Sequence, residues 1–186
     1  MVRITNRFLT SSRDYVWENF GSGDWTRLLA SRGADTRLAY DGRLDPKGSV
    51  AFPVVLDVLS GVRERQGERA PDVLFALGFY NSEKDLSGTQ KLVMRLLSPE
   101  WVLKMASVLW GQRVQGGGTF HVQVLAKGHV RATVRDFPSP DALWWNYLRG
   151  WFNCAIHFAG GRDVEVTWTG GGTSPTDAAV YEARWR

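Results

Sequence analysis

Asn146, Arg149, Asn153 and His157 fall at steps of three, four and four. In a helix that spacing puts a guanidinium, an imidazole and two amides on one narrow stripe. Facing a pocket, such a set could hold an anionic or polar ligand. Facing water, it would be the wet side of an otherwise buried helix, and the spacing alone leaves both readings open. Trp144 and Trp151 lie in the same stretch and would supply aromatic walls. Arg131 and Arg135 form a second candidate set. They are four residues apart in a stretch of period two, so they share one face of a strand. There they either pair with carboxylates of the other hairpin, Asp163, Glu165 or Glu182, or make an anion site.

Other chemistry is missing. His121, His129 and His157 stand in no metal-ligand spacing, and no metal is expected. Cys154 is the only cysteine, which excludes an intramolecular disulfide and a cysteine-rich zinc site and leaves a small buried hydrophobe. Gly116, Gly117 and Gly118 could cradle a phosphate, but no strand precedes them and no Lys-Ser/Thr follows, so they read as a turn. Nucleophile elbow, Walker and dinucleotide motifs are absent. The chain is expected to be no enzyme, to have no catalytic residues and to carry no cofactor.

The 186 residues suffice for one domain with a proper core. The nine tryptophans favour large aromatic contacts or an aromatic-lined site. The net charge of +4 comes from 23 basic residues scattered among 19 acidic ones, so nucleic acid is not expected as a partner. No apolar run approaches the roughly 20 residues of a membrane span. The start of the chain lacks the apolar core of a signal peptide, and a cytoplasmic location is expected.

The elements that must position these groups centre on residues 139–159. Ser139 reads as an N-cap with Pro140 in the first turn, and Gly160 and Gly161 as the stop. Around the polar stripe the circumference is nearly all apolar: Leu143, Tyr147, Leu148, Phe152, Ile156 and the tryptophans. The helix must therefore be buried on most sides. Gly150 breaks the pattern, and close approach of another backbone would explain it. Before this helix, periodicity predicts helices over 12–20, 25–31, 49–66, 72–77, 87–96 and 100–112, with 34–47 a loop holding at most a short helical turn and 1–12 an extended segment or helix start. From Thr119 the period becomes two. Strands are predicted over 119–124 and 130–134, then over 164–168 and 179–185. The class is α+β, a single domain over 1–186. Its mostly helical part, 1–115, packs with a ββαββ part, 116–186, that forms a four-stranded antiparallel sheet.

The order SPEWVLKMASVLW, GGGTFHVQV, RDFPSP, LRGWFNCAIHFAGGRDVEVTW and AAVYEARW, with SSRDYVWENFGSGDWTRLL and DVLFALG earlier, resembles a family of paralogous myxobacterial proteins of unknown function. More distantly it is similar to heme-nitric-oxide-binding (H-NOX), vinyl-reductase-type and TRAPP Bet3-like domains. That resemblance implies helices capping a four-stranded antiparallel sheet, with a buried ligand cavity or an acyl-type tunnel in some members. It also implies a bacterial small-molecule-binding or sensory module. The alternative is a dimeric interaction or scaffold module. The expected partners are a small hydrophobic or anionic ligand and a second copy or another protein. The departures are specific. H-NOX domains place a proximal histidine before the sheet, whereas residues 1–119 here contain no histidine. Their Tyr-x-Ser-x-Arg motif grips heme propionates, whereas residues 131–135 keep only Thr133 and Arg135. The cysteines that vinyl-reductase-type domains place near the last hairpin are also missing.

Overall fold

The computed structural model describes residues 1–41, 44–45, 47–68, 70, 72–86 and 92–186. In chain order the elements are β1 (Arg3–Thr5), α1 (Arg7–Phe20), α2 (Ser22–Ala30), α3 (Ala34–Tyr40), β2 (Ser49–Ala51), α4 (Phe52–Gln66), α5 (Val73–Asp85), α6 (Pro99–Arg113), β3 (Val114–Gln115), β4 (Thr119–Ala126), β5 (His129–Arg135), α7 (Ala142–Phe158), β6 (Glu165–Gly170) and β7 (Ala179–Arg184). This is the expected α+β architecture with its ββαββ C-terminal part. Of the helix expected over 87–96, residues 92–94 are helical and 87–91 lie outside the described residues, as do Pro46 and Pro71.

Strands β4, β5, β7 and β6 lie side by side in that order, all antiparallel. Period two sends Val130, Ala132 and Val134 of β5 inward with Ala179, Tyr181 and Ala183 of β7, all buried. Helix α7 packs on this inner face through Phe152, which stacks on Phe120 and meets Tyr181 edge-on. Its N-cap is Asp141, not Ser139. The Asp141 carboxylate accepts from the Leu143 N–H at 2.7 Å, and Pro140 holds the preceding residue out of helical geometry. Ser98 caps α6 as its Ser-Pro-Glu signature predicts, accepting from the Trp101 N–H at 3.2 Å.

Four short elements, β1, β2, β3 and α3, depend on partners distant in sequence, and the extended reading of the N-terminal segment holds for residues 3–5. β1 is the middle strand of a second sheet, β2-β1-β3, pairing Ile4 with both Val50 and Val114. The helix expected from Ser49 therefore starts three residues later, after β2. Helix α3 fills with seven residues the short helical turn allowed in the stretch read as a loop. Its N-terminus is capped from outside by Asp57 of α4, which accepts from Gly33 N–H at 3.0 Å and Thr36 Oγ1 at 2.6 Å. The helix thus depends on a carboxylate more than twenty residues away.

Helices α5 and α7 cross closely enough to need glycine. A Cβ on Gly150 would collide with the Phe75 carbonyl, and one on Gly78 with the Tyr147 carbonyl. The close approach that Gly150 implied is with α5.

Candidate functional site

The polar stripe of α7 takes a position that is neither plain solvent nor pocket. Arg149 Nε donates to the Val166 carbonyl at 3.3 Å, and Asn153 Nδ2 to the Val164 carbonyl at 2.9 Å. These carbonyls belong to β6 and the residue before it, on the edge strand of the sheet. Arg149 also donates to Asn146 Oδ1 at 3.2 Å and lies over the Phe75 ring. The stripe therefore caps an open sheet edge, and its N-terminal part borders a small hollow shared with Arg63 and Phe75. His157 is exposed at the far end of the helix, its ring against Phe79.

Arg131 and Arg135 are exposed on the outer face of the sheet. Arg131 sits opposite Glu182 in register and donates to it at 2.7 Å, while His129 meets the other Glu182 oxygen at 2.9 Å. These bonds hold the Glu182 carboxyl at about 2, below its ordinary 4.5. Arg135 pairs in register with Thr119. Neither arginine reaches the α7 stripe, because the sheet lies between them.

Trp144 and Trp151 do line hollows. An inner hollow of ≈ 50 Å³ lies among β1, α1, α5, α6 and α7. Trp144 is 2% exposed there, and its Nε1 has no hydrogen-bond partner among the described residues; nor has Asn81 Oδ1 on the same wall. Buried polar atoms in that condition are costly unless a water or another small guest satisfies them. Asn81 Nδ2 reaches Ser12 Oγ at 3.2 Å and Tyr147 Oη at 3.3 Å. Burial, reinforced by the Asp85 charge, pushes the Tyr147 phenol upward, so it stays protonated.

An outer cleft of ≈ 290 Å³ opens between α6, the segment 92–97 and α7. Its walls are apolar, with Met94, Trp101, Met105 and Ala155 among them, and Trp151 borders both spaces. Asp85 and Arg113 also border both. They form an ion pair at the boundary, and Arg7 donates to the Asp85 backbone carbonyl at 3.2 Å. Burial raises the Asp85 pKa against the pull of Arg113 and Arg7. Among the described residues neither hollow is lined by histidine or cysteine.

Asp85, Arg113, Asn81 and Tyr147 were not singled out by the sequence. No signal was available for Asp85, because the sequence reading ends this helix at residue 77 whereas α5 runs on to Asp85. The others sit on three different helices with no spacing to connect them. Among the described residues no cluster of three or more metal-ligating side chains occurs, and no helix is long and apolar enough to cross a membrane.

The sequence matches no protein-family model and no curated protein. Solved structures do match. An H-NOX protein from S. oneidensis in the Fe(II)NO ligation state aligns with a TM-score of 0.71 at 14% identity, covering 98% of this chain and 99% of that one. An Fe(II) unliganded H-NOX mutant from K. algicida gives 0.70 at 12%, covering 98% and 97%. A variant of Tt H-NOX gives 0.71 at 14%, covering 98% and 95%. The architecture of this chain is therefore that of an H-NOX-like fold.

Proposed function

We propose that this chain is a non-enzymatic, heme-free small-molecule-binding module of a bacterial cytoplasmic sensory system. Its ligand occupies the paired hollows around Asp85 and Arg113. One observation carries the reading: a small inner hollow with orphaned polar atoms and a larger apolar cleft meet at a single half-buried ion pair. Apolar concavity with a few convergent polar groups is the usual form of a ligand site. The H-NOX-like fold supports a sensory role by analogy of fold alone.

The heme-free part rests on the donor set and the space. Proteins offer heme His, Cys, Met or Tyr as axial ligands. The inner hollow offers only Tyr147, whose oxygen already accepts from Asn81. Its ≈ 50 Å³ is far below the roughly 300–1,000 Å³ of pockets for drug-sized ligands. The outer cleft brings Met94 and Met105 but no histidine. These residues do not fit heme bound as in the H-NOX structures. The likeness to the myxobacterial paralogues belongs to the same proposal.

A second reading is a dimeric scaffold, favoured by Leu96, Trp101 and Val108, exposed at 81%, 47% and 64% beside the cleft. Native mass spectrometry of the freshly purified protein, with an absorption spectrum on the same sample, separates the two. The proposal expects added mass that denaturation releases, and no Soret band. A Soret band would overturn the heme-free reading. A ligand-free mass at twice the monomer would favour the scaffold.

A further inference from the structure

We propose that the inner hollow is a binding site for a short primary alcohol, whose hydroxyl accepts from Trp144 Nε1 and donates to Asn81 Oδ1. This rests on the reading of the paired hollows as a ligand site and names the chemical class that the inner one takes.

The polar corner sets the head. Trp144 and Asn81 are each 2% exposed and both line the hollow, and Trp144 Nε1 and Asn81 Oδ1 have no hydrogen-bond partner among the described residues. Neither side chain is free to turn away. Asn81 Nδ2 is engaged by Ser12 and Tyr147, and the Trp144 ring stacks on Tyr147 and meets Phe52 edge-on. The indole nitrogen can only donate and the amide oxygen can only accept. A hydroxyl is the smallest organic group that answers both at once. A carbonyl or a nitrile would satisfy the indole and leave the amide oxygen bare. An ion would exchange its water for two neutral partners, because the charges on this wall, Asp85 and Arg113, are already paired to each other.

The remaining walls set the body. They are largely apolar, with Ile4, Phe8, Phe120, Leu148 and Phe152 among them. The volume is ≈ 50 Å³, against the roughly 30 Å³ share of one water. One water could bridge the two polar atoms. A second would face apolar walls, whereas buried water typically makes about three hydrogen bonds. A short alkyl stem fills that remainder and gains by leaving water. The whole guest is on the order of two to three non-hydrogen atoms.

Two-dimensional NMR of the full chain tests this by following the Trp144 indole N–H during titration with ethanol and with acetonitrile. The two probes have the same number of non-hydrogen atoms, but acetonitrile can only accept. Ethanol is expected to shift the indole signal saturably and to bind at least about tenfold more tightly than acetonitrile. NOEs are expected from its methyl group to Ile4 and Leu148. Asn81→Leu should erase the preference while leaving the acetonitrile affinity nearly unchanged. If Asn81→Leu does not fold, the two affinities and the NOEs in the parent chain decide alone. Equal affinity for both probes would overturn the hydroxyl assignment and leave the hollow as a small-guest site. Shifts that only rise linearly with ethanol and bring no NOE would overturn the alcohol site, and a water NOE at the indole would then identify the occupant as water. After either result, added mass on the freshly purified protein would keep the outer cleft as a ligand site, and a bare mass would overturn that reading as well.

Discussion

The carbonyl oxygen of Phe75 occupies the space that a Cβ on Gly150 would need, and the Tyr147 carbonyl does the same to Gly78. Each glycine lies within a helix, where alanine would gain about 1 kcal/mol of propensity. Backbone cannot move aside as a side-chain tip can, so overpacking outweighs that gain. Gly150→Ala and Gly78→Ala should each lose about 2 kcal/mol or more by urea unfolding, or fail to fold. A neutral or stabilising result for either would show that the helices separate readily.

The capped edge of β6 yields a different readout. Arg149 and Asn153 each satisfy one outward carbonyl of a strand that has no neighbour on that side. Such edges pair with other chains when left open. Arg149→Ala combined with Asn153→Ala should lower stability by about 1–3 kcal/mol. It should also produce concentration-dependent association in light scattering that the parent chain lacks. Loss of stability without association would mean that other features protect the edge.

Trp145 pins the loop between β6 and β7. Its Nε1 donates to the Gly172 carbonyl at 2.8 Å from a fully buried position, and Gly172 has a φ of 67°. Trp145→Phe keeps most of the aromatic body and leaves that carbonyl without its donor. The expected cost is about 1–3 kcal/mol, with faster amide exchange confined to residues 170–178. Uniform acceleration across the sheet would point to a global packing role instead.

Two carboxyls give opposite pH signatures. Asp85 has a folded value raised above 3.8 by burial, so the native chain holds the extra proton. Stability should fall as pH rises from 3.8 through that raised value, then level off. Glu182 is held at about 2 by Arg131 and His129. Its contribution is present in full above 4.5 and is lost as pH falls through its folded value. Denaturant titrations between pH 2 and 7 should show Asp85→Asn removing the first slope and Glu182→Gln the second. Curves unchanged by either substitution would contradict the assigned surroundings.

Much of the fold was legible because punctuation and period agreed. Ser98-Pro99-Glu100 fixed the start of α6, and alternation through Phe120, Val122 and Val124 fixed β4. Gly150 announced a close crossing. What escaped depends on partners distant in sequence. Residues 3–5 become a strand only beside residues 49–51 and 114–115, and α3 relies on Asp57. The candidate site was less legible for the same reason. The α7 stripe was visible as a pattern, but its role depends on where β6 lies. Asp85 and Arg113 meet only when α5 and α6 are packed.

Helix α6 runs without a break into β3. β3 bonds to β1, β1 to β2, and β2 runs without a break into α4. The wall of the cleft and the helix that caps α3 are therefore the two ends of one backbone lever with short, directional joints. The cleft wall and the carboxylate that caps α3 are thus held in one hydrogen-bonded frame, in which a change in the length of any of the three short strands would alter the spacing of α6 and α4.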